Sequence, residues 1–487
     1  MGSVKNASAN LRTTLTILEA TENAHLWPHT YLYVRQYLMA NYQIRKDLVD
    51  RLISVLIRGL LSDNTEDAFN CAWSLTNVTC AGTHNTDRLV VAGGIEALGL
   101  RLHTSSDRRV QDQCLWALGN IACENDDLAR RVVMLTDPVP IATIILTDEF
   151  TTPVFRKQAA WFLHRILRFS TEFMHTTQVE EVTKALIDAL LLCFSESNRT
   201  NYEMKTELVH SLMHLIDVFH RPIVQLVMYY REFTVNLMQV LHELDPNGSE
   251  RFERMAMQLI GNLILGDDSD MEQLFEMNLL QFLYEQLQKS PLSSRSVEVL
   301  WICSNIAATD EKYVRHLFEG ERGAYMADAI VRSLNCSSRS LTKEASYAAL
   351  NTLLMFSDEP KDLKFFLDFG FFMAIAHPFI HRIEKFVEIA LEVMEQCLRN
   401  DDFRRKCFAY NMDKELEACA PWIEDRLPVL RHEVREVMSS LKALRKERES
   451  GFCVQRKRAK VNSTCPFPDP YKQAITFVTD EVDCIEV

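Results

Sequence analysis

This chain of 487 residues predicts an all-α fold, built as a right-handed superhelical solenoid of stacked repeats. Three observations predict it. A Trp-x-x-x-Asn helix recurs at near-constant spacing; Gly and Pro, at 14 each, are scarce; and each unit has an apolar face that only a neighbouring unit can bury.

Residues 110–127 carry the sharpest copy. As a helix they set Trp116 and Asn120 one turn apart on one face, beside an apolar stripe of Leu115, Leu118, Ile121 and Ala122. Trp73 with Asn77 and Trp301 with Asn305 repeat the pair. Weaker copies pair Trp161 with Arg165, His210 with His214, Gln258 with Asn262 and Tyr347 with Asn351. Positions 73, 116, 161, 210, 258, 301 and 347 stand 43 to 49 residues apart. That interval falls in or near the roughly 40–47 residue period of armadillo and HEAT repeats. Between copies the pattern reads as a turn or Gly (Gly82, Gly93, Gly94, Gly266), then one apolar helix such as residues 274–287. A short polar link follows, such as 104–107 or 290–294.

At the N-terminal end, residues 11–20 and 31–40 read as two helices of a degenerate first repeat, with Pro28 opening the second. Residues 386–399 read as another inner helix and 413–446 as a closing helical pair. The predicted organisation is a short extension at 1–9, an array of about nine or ten repeats at 10–447, and a disordered tail at 448–487, basic and then Pro-bearing and acidic.

Composition narrows the function. Apolar residues make up 47% and charged residues 25%, as in a globular body. A formal charge of −14 favours basic partners and argues against nonspecific nucleic-acid binding. The 13 cysteines form no Cys-x-x-Cys, and Cys71, Cys114 and Cys303 sit in the repeated helices, which suits reduced thiols in cytosol or nucleus. Residues 1–20 lack a signal-peptide core, and Asn6 stands where myristoylation wants Ser or Thr. The longest apolar run, residues 365–380, is interrupted by Asp368 and Pro378, so no membrane partner is expected. No phosphate-binding Gly loop or nucleophile elbow occurs, and neither an enzyme nor a cofactor is expected.

A recurring Asn has a use that a core does not require. Its carboxamide both donates and accepts, and so can clamp an extended peptide backbone. Neighbouring Trp rings make slots for Lys or Arg stems, with cation–π attraction of roughly 0.5–2 kcal/mol each. Carboxylates at Asp112, Glu124, Glu207, Glu298, Glu344, Asp267 and Asp268 lie about one turn from these positions, ready for the charged heads.

Leu-Trp-Ala-Leu-Gly-Asn-Ile-Ala at 115–122 and Ala-Trp-Ser-Leu-Thr-Asn-Val at 72–78 resemble the armadillo repeats of importin-alpha, the adaptor for nuclear localisation signals. The resemblance covers about residues 10–445 in period and is sharp in four or five repeats. It implies a main signal-binding site at Trp73, Asn77, Asp112, Gln113, Trp116, Asn120, Glu124 and Trp161. It implies a second site at Asn262, Asp268, Glu298, Trp301, Asn305, Glu344, Tyr347 and Asn351. Location in cytoplasm and nucleus is implied too.

The departures are specific. Arg165 replaces an Asn and should shorten the main site; His210 and His214 replace an aromatic pair. Residues 1–9 hold no Lys/Arg cluster where the family carries its importin-beta-binding segment, so importin-beta is a doubtful partner. Two readings follow: a nuclear-import adaptor, or a scaffold that sequesters basic cargo without transport. Arg445 and Lys446 with Arg456, Lys457, Arg458 and Lys460 resemble a bipartite signal, and two readings stay open: a solvated basic tail, or one that folds back into the acidic groove. Glu207, His210 and His214 share metal-ligand spacing on one helix, but they occupy the standard inner positions, and no metal is expected.

Overall fold

The computed structural model describes residues 2–40, 44–171, 173–195, 202–243 and 249–455. The inner helices begin where the sequence supplies a cap. Asn64 accepts from the backbone of Glu66 and Asp67 to start Thr65–Cys80, and Asp107 accepts from Arg109 to start Arg108–Glu124. Ser293 and Ser296 form a capping box ahead of Ser294–Ala307, and Pro153 opens Pro153–Ser170.

Each inner helix packs on the next. The ladder runs Trp27–Met39, Thr65–Cys80, Arg108–Glu124, Pro153–Ser170, Tyr202–Phe219, Glu250–Leu263, Ser294–Ala307, Arg339–Met355, Glu384–Cys397 and Arg431–Gln455. Among the described residues there is no strand, and the chain is an all-α solenoid. Its core is continuous from Leu11 to Leu441, with Leu115, Leu118 and Ile121 fully buried, as are Cys71, Cys114 and Cys303.

The outer layer differs from the expectation of one helix per link. Most repeats hold two, joined at a residue in the left-handed region: Gly93 (φ 80°), Asp137 (36°), Asn278 (66°), Gly320 (66°), Gly370 (118°) and Asn411 (52°). The apolar run at 274–287 is thus split by Asn278 into Asp268–Glu276 and Leu279–Lys289. Gly, Asn and Asp tolerate this conformation, so each corner is locally encoded. Among the described residues no single helix is long and apolar enough to cross a membrane. The run at 365–380 bends by 59° between Pro360–Phe369 and Phe372–His381.

The ends also depart from the expected boundaries. Gly2–Glu19 is helical from its second residue, and Arg431–Gln455 runs past residue 447. Arg445 is no free tail cation. Its guanidinium pairs with the buried Asp413 carboxylate at 2.6 Å and braces the last two helices. Arg456, Lys457, Arg458 and Lys460 lie outside the described residues.

Candidate functional site

Stacking of the inner helices turns a one-helix motif into a row. Trp73 and Asn77, Trp116 and Asn120, Trp301 and Asn305, and Tyr347 and Asn351 each stand one turn apart on the inner layer. The carboxamides also stitch repeats together. Asn120 donates to Thr79 Oγ1 (3.0 Å) and Cys80 Sγ (3.2 Å) of the preceding repeat. Asn305 donates to the Gly261 carbonyl at 3.3 Å, and Asn351 to the Ser304 carbonyl at 3.2 Å. Asn77 turns back onto its own helix, donating to the Trp73 carbonyl at 3.2 Å. Asn262 is half-buried.

The aromatic rings are neither swallowed nor free. Trp116 is 39% exposed, and Trp73, Trp161, Trp301 and Tyr347 are half-buried. Trp161 lies on Gly119 and Trp301 on Gly261, each ring filling the space a Cβ would take one repeat earlier. Tyr347 meets Phe386 edge-on at 4.7 Å. In three slots the chain supplies the cation itself: the Arg35 guanidinium sits 4.8 Å from the Trp73 ring, Arg165 5.9 Å from Trp161 and the Lys343 ammonium 5.9 Å from Tyr347.

Several expected acidic walls are withdrawn from solvent. Asp112 is 4% exposed and Gln113 6%; Gln113 donates to Asp112 Oδ2 at 3.3 Å, while Asp112 Oδ1 has no partner. Glu298 is 8% exposed and accepts from Gln258 at 3.2 Å; Glu344 is 6% exposed and paired with Lys343 at 2.6 Å. The reason is geometric. Asp112, Glu298 and Glu344 all lie about one turn before the aromatic residue of their helix, a position that packing closes to water, and Glu298 reaches Gln258 of the preceding repeat. Asp267 is spent as a helix cap: the Asp270 backbone amide and then the Arg221 guanidinium bond its carboxylate and hold it down at about 2. Glu124 stays half-exposed, accepting from Thr83 Oγ1 at 2.9 Å, and Asp268 is exposed.

Burial pushes the Asp112 carboxyl up to about 7, against the smaller effect of the Gln113 hydrogen bond. The folded chain therefore keeps a proton that the unfolded chain releases near pH 4, and stability falls as pH rises from about 4 to 7. Asp112→Asn is expected to match the wild type at pH 4 and exceed it by about 2–4 kcal/mol at pH 8. Urea midpoints at the two pH values check this; equal midpoints at pH 8 contradict it.

Comparison with known proteins bears on this ladder. Residues 82–123 match the model of the armadillo/beta-catenin-like repeat. Importin subunit alpha-1b of Oryza sativa subsp. japonica is 25% identical over 258 residues, covering 53% of this chain and 45% of that protein. Importin subunit alpha-9 of Arabidopsis thaliana is 25% identical over 262 residues, 53% of this chain and 47% of that one. The chain is thus similar to importin-alpha over about half its length and carries an armadillo-type repeat at 82–123. The chain spans about half the length of the curated relatives it matches. A crystal structure of an engineered protein superposes with a TM-score of 0.67, over 88% of this chain and 98% of the other, at 17% identity, a likeness of fold alone.

Within this array, sequence reasoning missed Arg35. Trp27–Met39 is the first inner helix, and it packs on Thr65–Cys80, which places Arg35 over Trp73 across 38 residues of chain. It also missed His164, which the structure brings to Glu207. The period could have found both, since each lies close to the Trp register of its own inner helix.

Proposed function

We propose that this chain binds extended Lys/Arg-rich peptides along its inner helices and acts as an adaptor for nuclear import. One observation carries the reading: Trp116, 39% exposed, stands with Asn120 and the half-exposed Glu124 at successive turns of one helix. Indole face, carboxamide and carboxylate are the three groups that a lysine stem, a peptide bond and an ammonium call for. Trp301, Asn305 and Asn351 offer a second stretch. The internal pairing of Arg35 with Trp73 is the same chemistry made within the chain. Relatives named importin subunit alpha support the transport half of the proposal, with work in both cytoplasm and nucleus.

With Asp112, Glu298 and Glu344 withdrawn, fewer carboxylates face the peptide than the motif spacing suggests, and ring and carboxamide contacts carry more of the affinity. Arg35 and Arg165 flank the main stretch and shorten it toward Trp116. The test is fluorescence anisotropy of a labelled Lys/Arg-rich peptide with the full chain. Binding is expected to weaken several-fold between about 50 and 200 mM salt, and to vanish when the basic residues are replaced by Ala. Equal binding of the Ala peptide sinks the proposal. Delivery of a basic-signal reporter into nuclei of permeabilised cells tests transport; peptide binding without delivery leaves a scaffold that retains basic cargo.

A further inference from the structure

Where the fourth and fifth inner helices meet, Pro153–Ser170 and Tyr202–Phe219 bring three metal-ligating side chains together. A ligand atom from each of His164, Glu207 and His210 lies within 4.8 Å of the others. The sequence spacing suggested His210 with His214; helix packing instead supplies His164 from the preceding repeat, and His214 stands outside the cluster. His164 Nδ1 contacts the Glu207 carboxylate, and the two imidazoles lie 4.6 Å apart with planes inclined by 32°. Glu207 is itself 9% exposed. A hydrogen bond accounts for His164 and Glu207 but leaves His210 unexplained, because its Nδ1 is buried with no hydrogen-bond partner.

We infer that His164, Glu207 and His210 form a site for a transition-metal ion of the zinc class, clamping two adjacent repeats. Ligand atoms bound tetrahedrally about 2.0–2.1 Å from zinc stand about 3.3 Å apart, so small side-chain rotations close the set around an ion. Two imidazoles and one carboxylate suit Zn²⁺, whereas Ca²⁺ and Mg²⁺ want more oxygen. Arg165 and Arg251 place positive charge near His210 and Glu207, which opposes any cation, so an ion here must be held by imidazole coordination rather than by charge. Three protein ligands leave a fourth position for water. The site does not rest on the peptide-binding reading.

The experiment is titration of the chelator-stripped full chain with Zn²⁺ against a chromophoric competitor, repeated for His164→Ala, His210→Ala, Glu207→Gln and His214→Ala. One equivalent should bind; the first three variants should each weaken it at least tenfold, and His214→Ala by less than twofold. Zn²⁺ should raise the melting temperature of the wild type and not of His210→Ala. Should a variant misfold, Co²⁺ on the wild type decides alone: an intense four-coordinate ligand-field spectrum at one equivalent supports the site. The weak spectrum of the hydrated ion overturns it. So does a thiolate charge-transfer band, which would place the metal at cysteine, or zinc affinity unchanged in His164→Ala and His210→Ala.

Discussion

Trp116→Ala is expected to lower affinity for a Lys/Arg-rich peptide by about tenfold to thirtyfold, about 1.4–2 kcal/mol. The physical basis is that Trp116 is the most open indole of the ladder, and among the described residues no cation of the chain lies over it. Removing the ring takes away both the slot for the aliphatic stem and the attraction for the charge. Trp73→Ala should cost less, because Arg35 already covers that ring at 4.8 Å. His210→Ala, measured without metal, should leave peptide affinity within about twofold, since its imidazole is turned to His164 and Glu207. Titration of one labelled peptide against the three variants checks the order. Equal affinities for wild type and Trp116→Ala would remove the basis of the peptide-binding reading.

Gly261→Ala is expected to destabilise the array by about 1–3 kcal/mol, as overpacking of a filled interior does. A Cβ at Gly261 overlaps the rigid Trp301 ring, so the ring or the helix must shift. An outward swing of the indole loses its contact and breaks register with Asn305, which bonds the same Gly261 through its carbonyl. Gly119→Ala should act alike on Trp161. In the earlier register the corresponding residue is Thr76, whose hydroxyl bonds the Ala72 and Gln113 carbonyls. The readout is the urea midpoint together with Trp fluorescence. An unchanged midpoint with an unchanged emission maximum would mean that the ring does not rest on this glycine.

These two outcomes separate what local pattern carries from what packing adds. The inner helices were legible because their information is short-range: caps at Asn64, Asp107 and Ser293, and a stripe such as Leu115, Leu118 and Ile121. The second outer helix is equally local in its signal, a Gly, Asn or Asp at each left-handed corner, but the short segments on either side have too few turns for their periodicity to separate them from a loop or a longer helix. The carboxylates were harder. Counting turns from Trp116 puts Asp112 on the same face as the ring, and only the packing of the repeats decides that this position is closed to water.

By itself, then, the amino-acid order determined an all-α solenoid, its repeat interval and the residues that occupy the inner register, since each follows from contacts within a few turns of one helix. Only tertiary structure decided that Arg35 covers Trp73, that Asp112 keeps its proton to about pH 7, and that His164 joins Glu207 and His210. Those pairings, or the burial behind them, arise between inner helices about forty residues apart in the chain, and the relative rotation of two packed helices is set by how their apolar ridges interlock.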